Sequence, residues 1–196
     1  MLFMTLANKV TSIRFLLCIL YYVLLSMAVQ KSPRDVELLT IIFILNQVIA
    51  WTDLLDGYLA RKYKEVTHFG RIADPLVDKI LVVGSFIFFL KLDPLPKIFT
   101  AWFAVVVLGR EFLVSGIRGA MEAAGIPFPA SVWGKIKTAI QNVTVGTGLG
   151  YATWFPTARW TELLTIILMW ATLVATVMSG VTYVLSARKF LGSERI

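Results

Sequence analysis

Long apolar segments, separated by short polar ones, constrain this chain more than any other feature. They run at about 13–29, 38–64, 70–91, 98–124, 131 to 154–157 and 160–185. Each approaches or exceeds the roughly 20 residues that a helix needs to cross a hydrocarbon core of ~30 Å. Of the 196 residues 58% are hydrophobic, and the mean hydropathy is +0.77, well above a soluble domain at ~45–50% apolar. The expected fold is therefore an all-α integral membrane protein. It has six transmembrane helices, a short juxtamembrane segment at 1–6, and one domain over 1–196. The second segment spans ~40 Å as a helix, so its latter half should lie near or beyond a membrane surface.

Charged residues break this apolar pattern at one place above all. Asp53, Asp56, Gly57, Ala60 and Arg61 lie at i, i+3, i+4, i+7 and i+8, which on a helix is a single stripe. Gly70, Asp74 and Asp78 step by four and form a second stripe. A charge inside a membrane helix costs ~2.5–3.5 kcal/mol on insertion scales and usually marks a site. Two helices joined by a polar turn at 62–68 would bring both stripes together, and four clustered carboxylates need a cation. Oxygen-only ligands favour hard cations such as Mg²⁺ or Mn²⁺. Pairing of the acids with Arg61, Arg71 and Lys79 is the plainer alternative, but four acids in phase exceed what such pairing needs. His68, in the expected turn, reads as a solvated residue rather than a ligand. The lone Cys18 excludes an intrachain disulfide and a thiolate cluster.

The other polar intrusions are basic. Arg110 and Arg118 stand eight apart in an apolar segment, about 80° around a helix, so both can flank one groove. Glu111, seven before Arg118, is expected to pair with it. Lys135, Lys137 and Gln141 follow near the start of the fifth segment. Lys137 is the poorer partner for the arginines on spacing, since it stands 200° around the helix from Lys135. Arginine forks and lysine point charges suit a phosphate-rich ligand. The formal charge of +7 fits basic loops against anionic lipid heads better than nucleic acid. Fourteen of the 19 Lys and Arg residues fall on one side of the six-span arrangement, the side of both termini and the acidic motif. The positive-inside rule puts that side in the cytoplasm. No cleavable signal peptide pattern precedes the first segment, which is expected to stay as a span. Trp102, Trp154 and Trp160 fall at interface positions.

The pattern D-x-x-D-G-x-x-A-R, eight residues, then G-x-x-x-D-x-x-x-D resembles the signature of the CDP-alcohol phosphatidyltransferases, and all eight fixed positions match. The resemblance implies displacement of CMP from a CDP-linked lipid by an acceptor alcohol. It implies that Asp53, Asp56, Asp74 and Asp78 hold metal, as two ions of Mg²⁺ or Mn²⁺, with Asp78 also the general base on the acceptor hydroxyl. Gly57, Ala60, Arg61 and Gly70 would line the cytidine diphosphate pocket. Asn8 and Thr11, with Arg14, would open the first helix beside the nucleotide, although Ala7 replaces the proline that often precedes that asparagine. Arg110-Glu111-Phe112 with Arg118, and Gly134-Lys135-x-Lys137-Thr138-x-x-Gln141, resemble the branch of the family that makes phosphatidylglycerophosphate. That branch implies CDP-diacylglycerol and sn-glycerol 3-phosphate as substrates, Arg110, Arg118 and Lys135 on the acceptor phosphate, a homodimer, and a bacterial inner-membrane location. Inositol phosphate, serine or phosphatidylglycerol as acceptor are the alternatives within the family. A divalent-cation transporter is the alternative outside it.

Overall fold

A computed structural model describes residues 6–31, 33–63, 68–125 and 132–191, with side chains in 11–31, 33–52, 76–125 and 132–188. Among the described residues six helices follow in order: α1 (Leu6–Gln30), α2 (Val36–Tyr63), α3 (His68–Phe89), α4 (Ala101–Ala123), α5 (Val132–Trp154) and α6 (Arg159–Leu191), with a 3-10 turn at Leu95–Lys97. Among the described residues there is no strand. The six expected segments thus appear as six helices with shifted ends. α1 takes in the Asn8 to Arg14 stretch, and of the expected juxtamembrane segment 1–5 lies outside the described residues. His68 opens α3 rather than lying in the preceding turn. α6 continues through Arg188 for 33 residues, ~50 Å, so the basic stretch expected as a tail is helical.

The helix ends have local causes. Asp35 caps α2: its Oδ1 accepts the Leu38 N–H at 3.0 Å, and its Oδ2 takes the Lys31 ammonium at 2.6 Å. The Leu38 N–H, with Lys31 behind it, holds this exposed carboxyl below the usual range. Gly125, at φ +72°, ends α4 in the left-handed conformation that favours glycine, its N–H bonded to the Glu122 carbonyl at 3.1 Å. Thr161 closes the start of α6 onto the Ala158 carbonyl at 2.8 Å.

Packing partners give the layout. Going around the bundle, neighbours run α1, α2, α5, α6, α4, α3 and back to α1, with α3 also touching α5 across the middle. Because successive helices reverse direction, the starts of α1, α3 and α5 share an end with the finishes of α2, α4 and α6. The apolar core lies toward the opposite end. There Phe86, Phe89, Phe99 and Phe103 form a buried aromatic cluster with ring centroids 5.0–6.1 Å apart. Gly148 of α5 gives the Phe89 ring its seat; a Cβ there would lie 2.8 Å from a ring carbon. α5 and α6 meet along small and hydroxylated residues, with Thr144 and Thr172 bonded at 2.7 Å, the close approach usual between membrane helices. Tyr21 of α1 bonds Ser85 of α3 at 2.8 Å, and Tyr22 donates to the Ile80 carbonyl at 2.6 Å.

The outer surface is apolar: Leu16, Ile44, Trp51, Val105, Phe112, Ile167 and Val174 are all exposed. The stretches Thr11–Gln30 and Arg159–Arg188 are each long and apolar enough to cross a membrane, and Val36–Thr52 is a shorter apolar helix. An apolar exterior around a hydroxyl-lined interior is the arrangement of a membrane protein, not of a water-soluble bundle. Trp102, Trp154 and Trp160 are exposed, as an interface position requires.

Replacing Gly148 with alanine should push the Phe89 ring out of its cluster and cost ~1–3 kcal/mol. Thermal unfolding in detergent should show the melting temperature falling by several degrees. Gly116→Ala, where an added methyl meets open space, should leave it unchanged or raise it.

Candidate functional site

Alternation of the six helices delivers every polar motif to the same end of the bundle. Asp53, Asp56, Gly57, Ala60 and Arg61 lie in the last three turns of α2, and Gly70, Asp74 and Asp78 in the first three of α3. Helical backbone through both motifs preserves the i, i+3, i+4 and i, i+4, i+8 stripes that the spacing anticipates. The side chains of Asn8, Asp53, Asp56, Gly57, Ala60, Arg61, His68, Gly70 and Asp74 lie outside the described residues. Asp78 is described, and its side chain is 37% exposed. The Arg14 guanidinium, 1% exposed, stands 4.0 Å from its Oδ1, a distance of electrostatic attraction rather than a direct hydrogen bond. Thr11, one turn before Arg14, is buried as well, so the face of α1 that carries these two residues turns inward.

The donor set of this motif is carboxylate oxygen alone, set on two helices consecutive in sequence. That chemistry fits a hard divalent cation and does not fit a soft metal. Where a divalent ion binds, Asp53, Asp56, Asp74 and Asp78 are the residues whose charge it would neutralise.

A second polar cluster is built from α3, α4, α5 and α6. Buried Glu111 of α4 is its one acid among the described residues. It accepts from Arg110 at 3.1 Å and from Lys137 of α5. Lys79, the residue after Asp78, donates to Ser115, whose hydroxyl bonds back to the Glu111 carbonyl at 2.6 Å. Arg110 also donates to Ser179 of α6, and its guanidinium lies 5.7 Å from the centre of the Tyr183 ring. Arg118 donates to the Tyr183 hydroxyl at 3.2 Å. Among the described residues the cluster thus sets four basic side chains, Lys79, Arg110, Arg118 and Lys137, around one carboxylate that pairs directly with two of them. An excess of positive charge there is costly unless an anion joins it. The Nε atoms of Arg110 and Arg118 are buried without a hydrogen-bond partner among the described residues.

Three sequence expectations change here. Glu111 pairs with Arg110 and Lys137, not with Arg118. Seven residues put Arg118 two turns away, ~10.5 Å along the axis, beyond easy reach, and it turns to Tyr183 instead. Lys137, the poorer candidate on spacing, is buried in the cluster. Lys135 is exposed, 200° around α5 from Lys137, and the described geometry does not bring it to the arginines. Arg110 and Arg118 do converge, on Tyr183. Ser179 and Tyr183 were missed by sequence reasoning. Their signal was the Ser179-Gly180 pair and Tyr183 interrupting an apolar helix, a pattern too common to stand out alone.

Known proteins resemble this chain over most of its length. It matches the family described as CDP-alcohol phosphatidyltransferase over residues 4–178. A protein of Rickettsia bellii named CDP-diacylglycerol–glycerol-3-phosphate 3-phosphatidyltransferase is 32% identical over 163 residues, 82% of this chain and 84% of its own. One of Haemophilus influenzae with the same name is 30% identical over 183 residues, 91% of this chain and 90% of its own. A third of that name, from Bacillus subtilis, is 41% identical over 102 residues, 52% of this chain and 51% of its own. With the eight-position signature set on α2 and α3 and the match running from α1 into α6, the chain belongs to the CDP-alcohol phosphatidyltransferase family, whose members generally depend on a divalent metal.

Proposed function

We infer that this protein transfers the phosphatidyl group of CDP-diacylglycerol to sn-glycerol 3-phosphate, giving phosphatidylglycerophosphate and CMP. The observation that carries the reading is the surplus of cations at Arg110, Arg118, Lys79 and Lys137, at the same bundle end as the carboxylate motif. An acceptor bearing a phosphate dianion supplies the negative charge in which this cluster is short among the described residues. The relatives' names point to the same acceptor.

In this reading an acceptor hydroxyl oxygen attacks the phosphorus that carries diacylglycerol. The bond from that phosphorus to the CMP oxygen breaks, and CMP leaves. Asp78 takes the hydroxyl proton as general base. Gly57, Ala60, Arg61 and Gly70, with Asn8 and Thr11, line the cytidine diphosphate pocket. Bound Mg²⁺ or Mn²⁺, as two ions on Asp53, Asp56, Asp74 and Asp78, supplies charge neutralisation for the diphosphate. Arg110 and Arg118 grip the acceptor phosphate.

Six membrane-spanning helices, one domain over 1–196, and both termini in the cytoplasm complete the picture. The arrangement suits a bacterial inner membrane, and a homodimer is the expected assembly. Inositol phosphate remains the alternative acceptor with the right charge, whereas serine brings no phosphate and phosphatidylglycerol only a monoanionic diester. A divalent-cation transporter fits less well, because it gives the arginines of α4 and their α6 partners nothing to do.

Purified protein given CDP-diacylglycerol and Mg²⁺ should release CMP with sn-glycerol 3-phosphate, and not with inositol phosphate, serine or phosphatidylglycerol. Asp78→Asn should keep binding of the liponucleotide and lose about 10²–10⁴-fold in turnover; unchanged turnover removes Asp78 from the base role. Chelation by EDTA should abolish CMP release, and excess Mg²⁺ or Mn²⁺ should restore it.

A further inference from the structure

α6 carries none of the signature residues, yet it holds both arginines. Ser179 is completely buried, and its hydroxyl accepts from an Arg110 Nη atom. The next residue is Gly180, where a Cβ would come within 3.4 Å of Arg110 Cγ, so α6 is cut away where the arginine stem crosses it. One turn on, Tyr183 is 4% exposed and serves both cations. Its ring faces the Arg110 guanidinium at 5.7 Å, and its hydroxyl accepts from Arg118 Nη2 at 3.2 Å. Each guanidinium therefore has one edge fixed by α6. The Nε of each, buried and without a partner among the described residues, is left for another oxygen acceptor. Two long flexible side chains of like charge do not stay together unaided; Glu111 holds Arg110 from within α4, and the shared aromatic and buried hydroxyl of α6 supply the rest of the restraint.

We propose that Ser179 and Tyr183 are positioning residues that set the affinity for the acceptor's phosphate by holding Arg110 and Arg118 in place. The proposal rests on the reading that these arginines bind that phosphate. Ser179 and Tyr183 act through the arginines and do not touch substrate, so their loss should weaken acceptor binding and leave the chemistry intact.

The test measures KM for sn-glycerol 3-phosphate and for CDP-diacylglycerol separately, with kcat and melting temperature, in the full chain in detergent. Ser179→Ala and the nearly isosteric Tyr183→Phe should each raise KM for sn-glycerol 3-phosphate roughly 3- to 10-fold. KM for CDP-diacylglycerol, kcat and the melting temperature should hold. Adding Tyr183→Phe to Arg118→Lys should raise KM no further than Arg118→Lys alone, because the tyrosine hydroxyl acts through that arginine. If Arg118→Lys and Arg110→Lys raise the acceptor KM while both α6 variants leave it unchanged, the positioning role is overturned and the phosphate reading stands. If the arginine variants also leave it unchanged, the phosphate reading falls and takes the proposal with it. A parallel rise in both KM values with a fall in melting temperature would mark Ser179 and Tyr183 as structural only and overturn the proposal.

Discussion

A charge placed inside an apolar helix bundle must be answered by another charge or by a ligand, and most of what is specific to this protein follows from that demand. The exterior is apolar, with Phe112, Ile167 and Val174 turned outward. Arg14, Arg110, Glu111 and Lys137 are therefore turned inward, where no bulk water screens them. Glu111 shows the rule at its simplest: buried, it draws Arg110 from its own helix and Lys137 from the next. Removing that one carboxylate would leave two cations uncompensated, a loss of the kind that costs ~3–5 kcal/mol when a buried pair is broken. What remains after Glu111 is satisfied is still positive, and that remainder is the property from which a phosphate-bearing acceptor is argued.

Helix alternation decides where such charges can meet. The motifs lie toward matching ends of their helices: Arg14 early in α1, the first acids late in α2, Asp78 early in α3, Arg110 to Arg118 from the middle of α4 onward, Lys137 early in α5, Tyr183 late in α6. Reversal of direction at every turn brings all six to one level. The opposite end is then free to be closed by rings, and the Phe86, Phe89, Phe99 and Phe103 cluster closes it. Rigidity at one end and polarity at the other is a sensible division, because lipid offers no hydrophobic drive to hold helices together and close packing must do so.

Much of this is legible in the sequence itself. Apolar length marks the helices, and carboxylate spacing marks the stripes, because both depend on properties local to one segment. Neighbour relations were not legible. That α2 packs on α5, and that α6 rather than α5 holds the arginines, depends on contacts between segments far apart in sequence. The Glu111 expectation failed for this reason. Within α4 alone, Arg118 was an available partner by angle, yet Lys137 from another helix arrives closer. Lys137 was likewise marked down by its angle from Lys135, a comparison that identifies opposite faces without saying which face is inside.

The division of α4 shows how one helix can serve two phases. Arg110 and Glu111 face the interior, while Phe112, 200° beyond Arg110, is 70% exposed to the surroundings of the bundle. A substrate with two acyl chains and a diphosphate has the same division. On the proposed reading its chains can remain in the bilayer against residues such as Phe112 while its phosphates meet cations on the other side of the same helix. The charged acceptor has no such route through lipid and must enter from water at the bundle end where the charges gather. Holding the arginines from α6, instead of leaving them as mobile surface groups, then serves a second purpose. Arg110 and Arg118 are kept from swinging outward to the lipid headgroups, whose phosphates would otherwise compete for the same guanidiniums.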